Sequence, residues 1–403
     1  MSSARASDGV RRGQPRSRVL TGLSRDTVLL AVASFCSDIS SEMLYPVLPI
    51  FLTQTLHATG SAVGVVEGFA SAAQNIVQGF SGWLSDRLQQ RKPLALAGYF
   101  ASALGKPLMG AAASWPGVLG GRLLDRLGAG FRAAPRDALI AASAEEGYRG
   151  RAFGLEGIGD NLGACVGPLL TWSLVVAFAY EMRSIFFLAV IPGLVACAMI
   201  LLVRERPIAS APNPRHAPLR ELPATYWRYL TATALFGIGA SSSNSFIIMQ
   251  TRSIGASFGT AILAYAGFNL VAALVSYPAG SVSDRSGRRN VLLAGFVIAA
   301  VAYVGFARAT NVALTCALFL AYGSFQGIFR AVGKAFASDF VPERLRASAI
   351  GWYSMTVGLA SLVASVVAGL LWDNVAHAAV FYYGAFSAIA GSIALVALIP
   401  VRS

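Results

Sequence analysis

The sequence predicts an all-α membrane protein of twelve transmembrane helices, arranged as two pseudo-symmetric six-helix bundles. Three observations lead to this fold class. The chain of 403 residues is 55% hydrophobic and only 13% charged, about half the charged share of a soluble domain. Apolar stretches of about 20 residues, the length that crosses a bilayer, recur along almost the whole chain. Motifs of the first half return in the second. The composition excludes a soluble enzyme, a collagen-like fibre and a disordered linker protein.

Short segments with turn residues or charges separate the apolar stretches. The twelve predicted spans are 29–53, 61–84, 94–114, 116–142, 149–172, 184–203, 226–250, 258–281, 291–308, 311–336, 347–372 and 378–400. They use most of the chain and leave no room for a sizeable soluble domain. The predicted organisation is a basic tail, a first bundle, a linker and a second bundle, at residues 1–28, 29–203, 204–225 and 226–400.

The basic residues outside the spans lie almost entirely on one side of the predicted membrane. Twenty-two Lys and Arg residues fall on that side, whereas the opposite loops hold only Arg183, Arg252 and Arg308. Basic residues accumulate on the cytoplasmic side of membrane proteins, so both termini of this multi-pass protein of the cell (inner) membrane are predicted to be cytoplasmic. The net charge of +13 then faces anionic lipid headgroups, and no nucleic-acid partner is predicted.

An internal repeat divides the spans into two sets of six. The segment from Gly82 to Arg87 recurs as Gly280 to Arg285, with an offset of 198 residues. The pair 131–132 recurs as 329–330 with the same offset. Two homologous six-span halves are typical of secondary transporters, in which a central site between the halves is exposed to each side in turn.

The repeated motif also carries a resemblance to a known family. The segment from Gly280 to Arg289 has the pattern Gly-x-x-x-Asp-Arg-x-Gly-Arg-Arg, which resembles the signature loop of the major facilitator superfamily. Residues 122–137 resemble the fourth-span motif of proton-linked exporters, and residues 152–168 the fifth-span glycine-rich antiporter motif. Together with residues 38–46, they make the chain similar to bacterial twelve-span drug/proton antiporter-type permeases. The resemblance implies small-molecule substrates and protons as partners.

The first span carries two acidic residues inside the predicted hydrocarbon region. At 100° per residue, Asp38, Glu42 and Tyr45 fall on one stripe of the helix. Burial favours the neutral form of a carboxyl group and a nearby arginine favours the charged form, so alternating exposure would load and release a proton. Asp38 and Glu42 are therefore the proton-coupling candidates. The alternative is that Asp38 is a permanent ion-pair partner of the fourth span, for example of Arg126.

Six charged residues of the fourth span share a 140° arc of its helix. Arg122 and Arg126, which lie nearer mid-membrane, are predicted to line a cavity. Arg132, Arg136 and Asp137, near the cytoplasmic end, are predicted to form a salt-bridge ladder.

Intramembrane ion pairs are predicted for Lys106, Asp125 and Asp160, with Lys106 facing a carboxylate such as Asp160. Glu67 on the second span is either a solvated residue near a helix end or a functional one.

Two further sets of residues are candidates for substrate contact and for gating. The cavity and substrate candidates are Tyr45, Arg122, Arg126, Asn244, Gln326 and Arg330. The gate candidates in the signature loops are Asp86, Arg87, Arg91, Asp284, Arg285 and Arg289. The aspartates are expected at the positive amino end of a helix of the other half, with the arginines bridging to nearby carboxylates. These contacts would hold the outward-open state and break on inward opening.

No motif for catalysis or cofactor binding is present in the sequence. A phosphate-binding Gly-x4-Gly-Lys-Ser/Thr loop is absent, and the three histidines have no metal-ligand spacing. We therefore predict no enzyme activity, no cofactor and no metal, and a monomer in the lipid bilayer. The predicted function is proton-coupled efflux of small organic compounds by alternating access. Two alternatives remain open: an uptake permease for an organic anion that uses Arg122, Arg126 and Arg330, and a non-transporting membrane sensor or assembly protein.

Overall fold

The computed structural model describes residues 24–88, 90–143, 149–205, 222–240, 243–342 and 345–399. Within these ranges the chain is helical apart from short connections, and no residue is in a strand. This confirms the predicted all-helical class. We use "first half" for the described residues up to 205 and "second half" for those from 222 onward.

Each predicted span overlaps at least one helix. The helices of the first half are α1 Arg25–Glu42, α2 Leu48–Ile50, α3 Gly60–Leu88, α4 Arg91–Ala111, α5 Trp115–Ser143, α6 Arg149–Trp172, α7 Met182–Leu188 and α8 Val190–Leu202. The helices of the second half are α9 Ala224–Ala240, α10 Ser243–Ser253, α11 Phe258–Ser286, α12 Arg288–Arg308, α13 Val312–Asp339, α14 Arg346–Asn374 and α15 His377–Leu398. The π-helical turns Phe51–Thr55 and Ser173–Ala177 extend α2 and α6.

Two predicted spans contain a break that lies within the described residues. The first span is broken by a turn at 43–47, where Pro46 has no N–H group for a helical hydrogen bond. The sixth span is broken at Ala189, whose carbonyl oxygen accepts a hydrogen bond from the Ser40 hydroxyl of α1. Pro192 lies in the first turn of α8, where a backbone N–H group would have no helical acceptor in any case.

Eight helical segments of the described chain, all between residues 151 and 398, are long and apolar enough to cross a membrane. Helices α1, α3, α4 and α5 are not among them. Each of these four carries charged residues within its predicted span, which lower its mean hydropathy. The total of twelve spans therefore stays a prediction.

The 198-residue repeat is visible in the helix bounds. Helices α3 and α11 both have 29 residues and begin at Gly60 and Phe258, which are 198 positions apart. Helices α4 and α12 both have 21 residues. The sequence repeat thus corresponds to a repeat of helix length and spacing.

Two antiparallel helix pairs join the halves: α3 packs against α14, and α6 packs against α11. We call the end at which α1 begins and α15 ends the terminal face, and the other end the opposite face. Near the opposite face, a Cβ atom added at Gly64 would overlap the carbonyl oxygen of Ser365, so glycine permits contact between the two backbones. Toward the terminal face, a Cβ added at Gly154 or Gly280 would meet nothing within 4 Å. Among the described residues, the halves therefore meet closely near the opposite face, and the pair α6–α11 diverges toward the terminal face.

Candidate functional site

A cavity of about 270 Å³ lies between the two halves. The first half contributes Glu42, Tyr45, Glu67, Ser71, Gln74 and Asn75 to its wall. The second half contributes Phe236, Ala240, Asn244, Ser245, Tyr265, Tyr322, Phe325, Gln326, Phe329, Arg330, Val357, Ser361 and Ser365. One wall is thus mostly polar, and the other combines aromatic rings with amides, hydroxyls and one guanidinium group. Four of the predicted cavity residues, Tyr45, Asn244, Gln326 and Arg330, line it.

Glu42 connects the two halves at this cavity. It is the last residue of α1, immediately before the turn that interrupts the first span. The Tyr265 hydroxyl of α11 donates to its carboxylate at 2.8 Å, and the Asn269 amide donates at 3.3 Å. The ring of Tyr45 stacks on that of Tyr265, with 6.0 Å between centroids. The Glu42 carboxylate is therefore held by hydrogen bonds from the other half rather than by an ion pair.

Asp38 lies one helical turn from Glu42 toward the terminal face. Among the described residues its carboxylate makes no hydrogen bond and no ion pair, so the predicted alternative of a pair with Arg126 is wrong. Asp160, Glu42, Arg132 and Arg136 are close enough to interact with it electrostatically. It therefore lies among charges of both signs.

A buried ion cluster lies behind the polar wall. Lys106 of α4 is 3.2 Å from Asp125 of α5, which also accepts from the Ser102 hydroxyl at 2.5 Å. Lys106 therefore pairs with a carboxylate, as predicted, but the suggested partner Asp160 is wrong. The reason is the packing of α4 on α5, in which Gly105 approaches the backbone of Asp125, so Lys106 meets α5 and not α6.

Arg122 and Arg126 belong to this cluster and are not among the residues that line the cavity. Arg122 is 0% exposed and binds Glu67 through two hydrogen bonds of 3.0 and 3.1 Å. The two guanidinium groups lie 4.8 and 5.2 Å from the centre of the Tyr45 ring, which separates them from the cavity. The prediction that both arginines line the cavity is therefore wrong, because they lie behind the residues that line it. Glu67 is likewise not a solvated residue, because it is the ion-pair partner of Arg122.

A second ion cluster lies closer to the terminal face. Arg136 is 2.8 Å from Glu156, 3.0 Å from Asp137 and 3.9 Å from Asp160. This arrangement agrees with the predicted ladder for Arg136 and Asp137. Arg132 departs from it, because its guanidinium group packs on the ring of Tyr99, 4.6 Å from the centroid.

The signature-loop residues make contacts within the second half. Arg288, which was not among the gate candidates, is 3.0 Å from Asp339 and 3.5 Å from Asp284. Arg289 donates to the carbonyl oxygens of residues 395 and 396 at the end of α15, so the predicted bridge from Arg289 to a carboxylate is wrong. A helix end presents unpaired carbonyl groups that attract a cation. This explains why Arg289 binds the end of α15 rather than a carboxylate.

Of the other gate candidates, Arg91 has a described contact within the first half. The backbone N–H of Arg91 donates to the Glu205 carboxylate at 2.6 Å, and Arg285 is exposed. The side chains of Asp86 and Arg87 lie outside the described residues.

The opposite face is closed by contacts that the sequence reasoning missed. Asp373 at the end of α14 accepts hydrogen bonds of 2.7 Å from the backbone N–H groups of Gly60 and Ser61, at the start of α3. The indole ring of Trp372 packs on Gly60, and His377 stacks on that indole with 3.8 Å between centroids. The sequence signal was the four-residue spacing of glycines 60, 64 and 68, which is typical of close helix packing in membranes.

Comparisons with known proteins agree with this architecture. The family model described as Major Facilitator Superfamily matches residues 30–249 and 229–403. An uncharacterised MFS-type transporter of Methanocaldococcus jannaschii is 31% identical over 381 residues, covering 93% of this chain and 94% of that protein. A protein of Cupriavidus pinatubonensis named "Probable 4-methylmuconolactone transporter" is 29% identical over 336 residues, covering 78% of this chain and 76% of its own.

Among solved structures, that of an auto-inhibited POT family peptide transporter superposes with a TM-score of 0.77 at 15% sequence identity. The superposition covers 92% of this chain and 96% of the other. At this identity the match shows the fold alone. The helices, the central cavity and the family match together establish that the chain is a multi-pass membrane protein of the Major Facilitator Superfamily, a family of small-molecule transporters and not of enzymes.

Proposed function

We propose that the protein is a proton-coupled secondary transporter that exports small organic compounds by alternating access. The observation that carries the proposal is the position of Glu42, a cavity-lining carboxylate of the first half whose partners among the described residues are Tyr265 and Asn269 of the second. A proton on this carboxylate changes which hydrogen bonds it accepts, and so changes a contact that bridges the halves. Protonation and movement of the halves would thereby be linked.

In this proposal the chain has twelve spans in two bundles, 29–203 and 226–400, flanked by a cytoplasmic tail at 1–28 and joined by a cytoplasmic linker at 204–225. The terminal face is cytoplasmic, as the positive-inside bias predicts. The structure then corresponds to an inward-open state of a monomer in the cell membrane. Asp38, one turn nearer the cytoplasm, would exchange the proton with water once the terminal face is open.

The experiment uses purified protein in liposomes with a pH-sensitive dye inside and an imposed pH gradient. Addition of a transported compound from a screen should move protons in the wild type. We expect Glu42→Gln to lose substrate-linked proton movement and retain substrate exchange, because the amide keeps the shape of the carboxyl group and cannot titrate. Asp38→Asn should slow or abolish the same signal.

The control is Glu181→Gln, which makes the same acid-to-amide change at an exposed residue just before α7. It should keep full proton movement. Unchanged proton movement in both Glu42→Gln and Asp38→Asn would refute proton coupling through the first span. The absence of flux for every compound would favour a sensor or assembly protein.

A second candidate function, uptake of an organic anion, is favoured by Arg330. Its guanidinium group lines the cavity, is exposed and makes no ion pair with a described residue. The Cupriavidus relative, by its name, is associated with 4-methylmuconolactone. Deletion of the gene distinguishes the two directions. Loss of an exporter should make cells sensitive to a toxic compound, whereas loss of an uptake permease should remove growth on a carbon source.

A further inference from the structure

The second-half wall of the cavity carries two side-chain amides that have no partner in the described protein. Asn244 of α10 and Gln326 of α13 line the cavity, and neither side chain forms a hydrogen bond with a described residue. Three asparagines elsewhere on the described helices, Asn161, Asn290 and Asn374, donate to the carbonyl oxygen four residues earlier, at 2.8–3.0 Å. The amides of Asn244 and Gln326 are therefore available to a molecule in the cavity.

Two tyrosines explain why the Asn244 amide does not bond to its own helix. The carbonyl oxygen four residues before Asn244 is that of Ala240. It accepts hydrogen bonds from the hydroxyl groups of Tyr303 at 2.8 Å and Tyr322 at 3.3 Å, which use both of its lone pairs. Tyr303 is 1% exposed, so this arrangement is part of the packed interior. Asn244 thus keeps its donors for the cavity.

The first half presents two further amides to the same cavity, those of Gln74 and Asn75 on α3. The Gln74 oxygen lies 3.4 Å from Nη1 of Arg126, and the Asn75 nitrogen donates to the Ser71 carbonyl at 2.8 Å. The Gln74 nitrogen and the Asn75 oxygen have no hydrogen-bond partner among the described residues. Both halves therefore contribute unpaired amide groups to one cavity.

These groups match the chemistry of a ligand with several hydroxyl groups. An amide side chain presents a donor and an acceptor side by side, and two neighbouring hydroxyl groups do the same because each hydroxyl both donates and accepts. Four serine hydroxyls add to the lining, those of Ser71, Ser245, Ser361 and Ser365. An apolar ligand would displace water from these groups and leave them without partners, which is costly.

The charges of the cavity lining cancel. The charged residues that line the cavity are Glu42, Glu67 and Arg330, and the Glu67 carboxylate is paired with Arg122 at 3.0 Å. Glu42 and Arg330 remain, with one charge of each sign. A neutral ligand therefore leaves no uncompensated charge in the membrane interior, whereas an added anion or cation would.

We propose that the cavity binds a small neutral polyol, a compound of monosaccharide size that carries several hydroxyl groups. The inference rests on the proposed transport function only in taking this polyol as the cargo. The volume of about 270 Å³ is below the range of about 300–1,000 Å³ typical of drug-sized ligands, which favours a smaller compound. Phe236, Phe325 and Phe329 on the second-half wall offer apolar surface to the C–H groups of such a ligand.

The probes are compounds that share one carbon skeleton and differ in charge: glucose is neutral, gluconate is an anion, glucosamine is a cation and glucosaminate is a zwitterion. Galactose, ribose, mannitol and inositol extend the neutral set. Binding is measured as a saturable rise in the melting temperature of the purified protein, at millimolar probe in a detergent without a sugar headgroup. Saturation separates binding from the general stabilisation that excluded polyols give.

In the wild type at least one neutral polyol should bind saturably, and more tightly than gluconate, glucosamine and glucosaminate. The absence of saturable binding by every neutral probe would overturn the proposal. A charged or zwitterionic probe that binds more tightly than all neutral ones would also overturn it, and would assign the cavity to a ligand that pairs with Glu42, Arg330 or both.

Asn244→Leu removes a donor and an acceptor from the cavity and changes the side-chain size little. We expect the polyol to bind about tenfold more weakly, the scale of one lost hydrogen bond that leaves its partner unpaired. Asn161→Leu is the matched control, because it makes the same change at an exposed residue whose amide is bonded to its own helix. It should keep the affinity of the wild type.

Gln326→Leu tests the same wall independently, should Asn244→Leu fail to fold. It should also weaken polyol binding about tenfold. Wild-type affinity in a folded Gln326→Leu protein, or a loss in Asn161→Leu as large as in the cavity variants, would contradict binding through these amides.

Failure of this inference is distinguishable from failure of the proposed function. Saturable polyol binding that weakens in the cavity variants, without flux of any compound in liposomes, would refute transport and leave the polyol site intact. Flux of other compounds without polyol binding would refute the polyol site and leave transport intact.

Discussion

The two faces of the molecule use glycine in opposite ways. At the opposite face, Gly64 and Gly369 bring the backbones of α3 and α14 into contact, and Asp373 caps the start of α3. At the terminal face, a Cβ atom added at Gly154 or Gly280 would meet nothing within 4 Å. Glycine costs helix stability, about 1 kcal/mol relative to alanine. At Gly154 and Gly280 no close contact in the present conformation offsets this cost. The difference suggests that the glycines of the terminal face serve a state in which that face is closed.

The largest expected effect comes from filling the contact at the opposite face. Gly64→Ala places a methyl group on the Ser365 carbonyl oxygen, which is backbone and cannot rotate away. Overpacking of this kind costs about 1–3 kcal/mol, so α3 and α14 should separate. The reporter is a cysteine that replaces Ala368, which is 1% exposed, in a protein without its native cysteines. In the Gly64→Ala variant this cysteine should react with a membrane-impermeant maleimide about tenfold faster, the rate change that corresponds to about 1–3 kcal/mol.

Gly79→Ala is the control for this substitution, because it lies on the same helix and its added Cβ meets nothing within 4 Å. It should leave labelling unchanged. Equal labelling of the two variants would contradict the assignment of α3 and α14 as the closing contact.

The second prediction concerns the state in which the terminal face is closed. Helices α6 and α11 are antiparallel, with Trp172 beside Gly259 and Asn269 donating to the Ala164 carbonyl at 3.1 Å. Continuing this register brings Gly154 to Gly280. The double variant Gly154→Cys/Gly280→Cys should therefore form a cross-link only when the terminal face closes, and the cross-link should stop transport.

The measurement is the yield of cross-linked protein on gels under conditions that favour either state, such as opposite pH gradients. A pair of cysteines at Gly154 and Val297, a residue of α12 that is 50% exposed, provides the background yield. A Gly154–Gly280 yield no greater than this background in every condition would show that the terminal face does not close through this helix pair.

The smallest expected effect is that of the cap on α3. Asp373→Asn removes the charge that faces the positive end of the helix and one of its two acceptor oxygens, a loss of about 0.5–2 kcal/mol for a helix cap. Labelling of the cysteine at position 368 should increase only a few-fold. Asn374→Ala, which removes an exposed amide bonded to its own helix, should have no effect. If both variants label as the wild type does, the cap does not contribute to closure.

Much of the fold was predictable because it depends on local properties of the chain. The length of an apolar stretch is sufficient to place a helix, and the spans from 258 onward match α11 to α15 closely. The break in the first span was less predictable. It results from Pro46 within an otherwise helical stretch, and proline can kink a helix or end it.

The sequence predicted which residues belong to the candidate site better than it predicted the contacts between them. Helical periodicity placed Glu42 and Tyr45 on one stripe, and both line the cavity. Periodicity also placed Arg122 and Arg126 on a polar face, but a polar face turned toward α3 and α4 and one turned toward the cavity have the same pattern. The partner of Lys106 depends on which helix packs against α4 and at what height, and neither is encoded within α4.

The amino-acid sequence by itself determined that this chain is helical, apolar, repeated and provided with charged residues at defined positions along its helices. These features follow from hydrophobic length, helical period and residue type, which act within one segment. Only the tertiary structure decided which charges pair, which lie one layer behind the cavity, and which face of the molecule is closed. Ion pairs and close backbone contacts depend on the distance, rotation and register between helices far apart in the chain, and a pattern within one helix does not specify them.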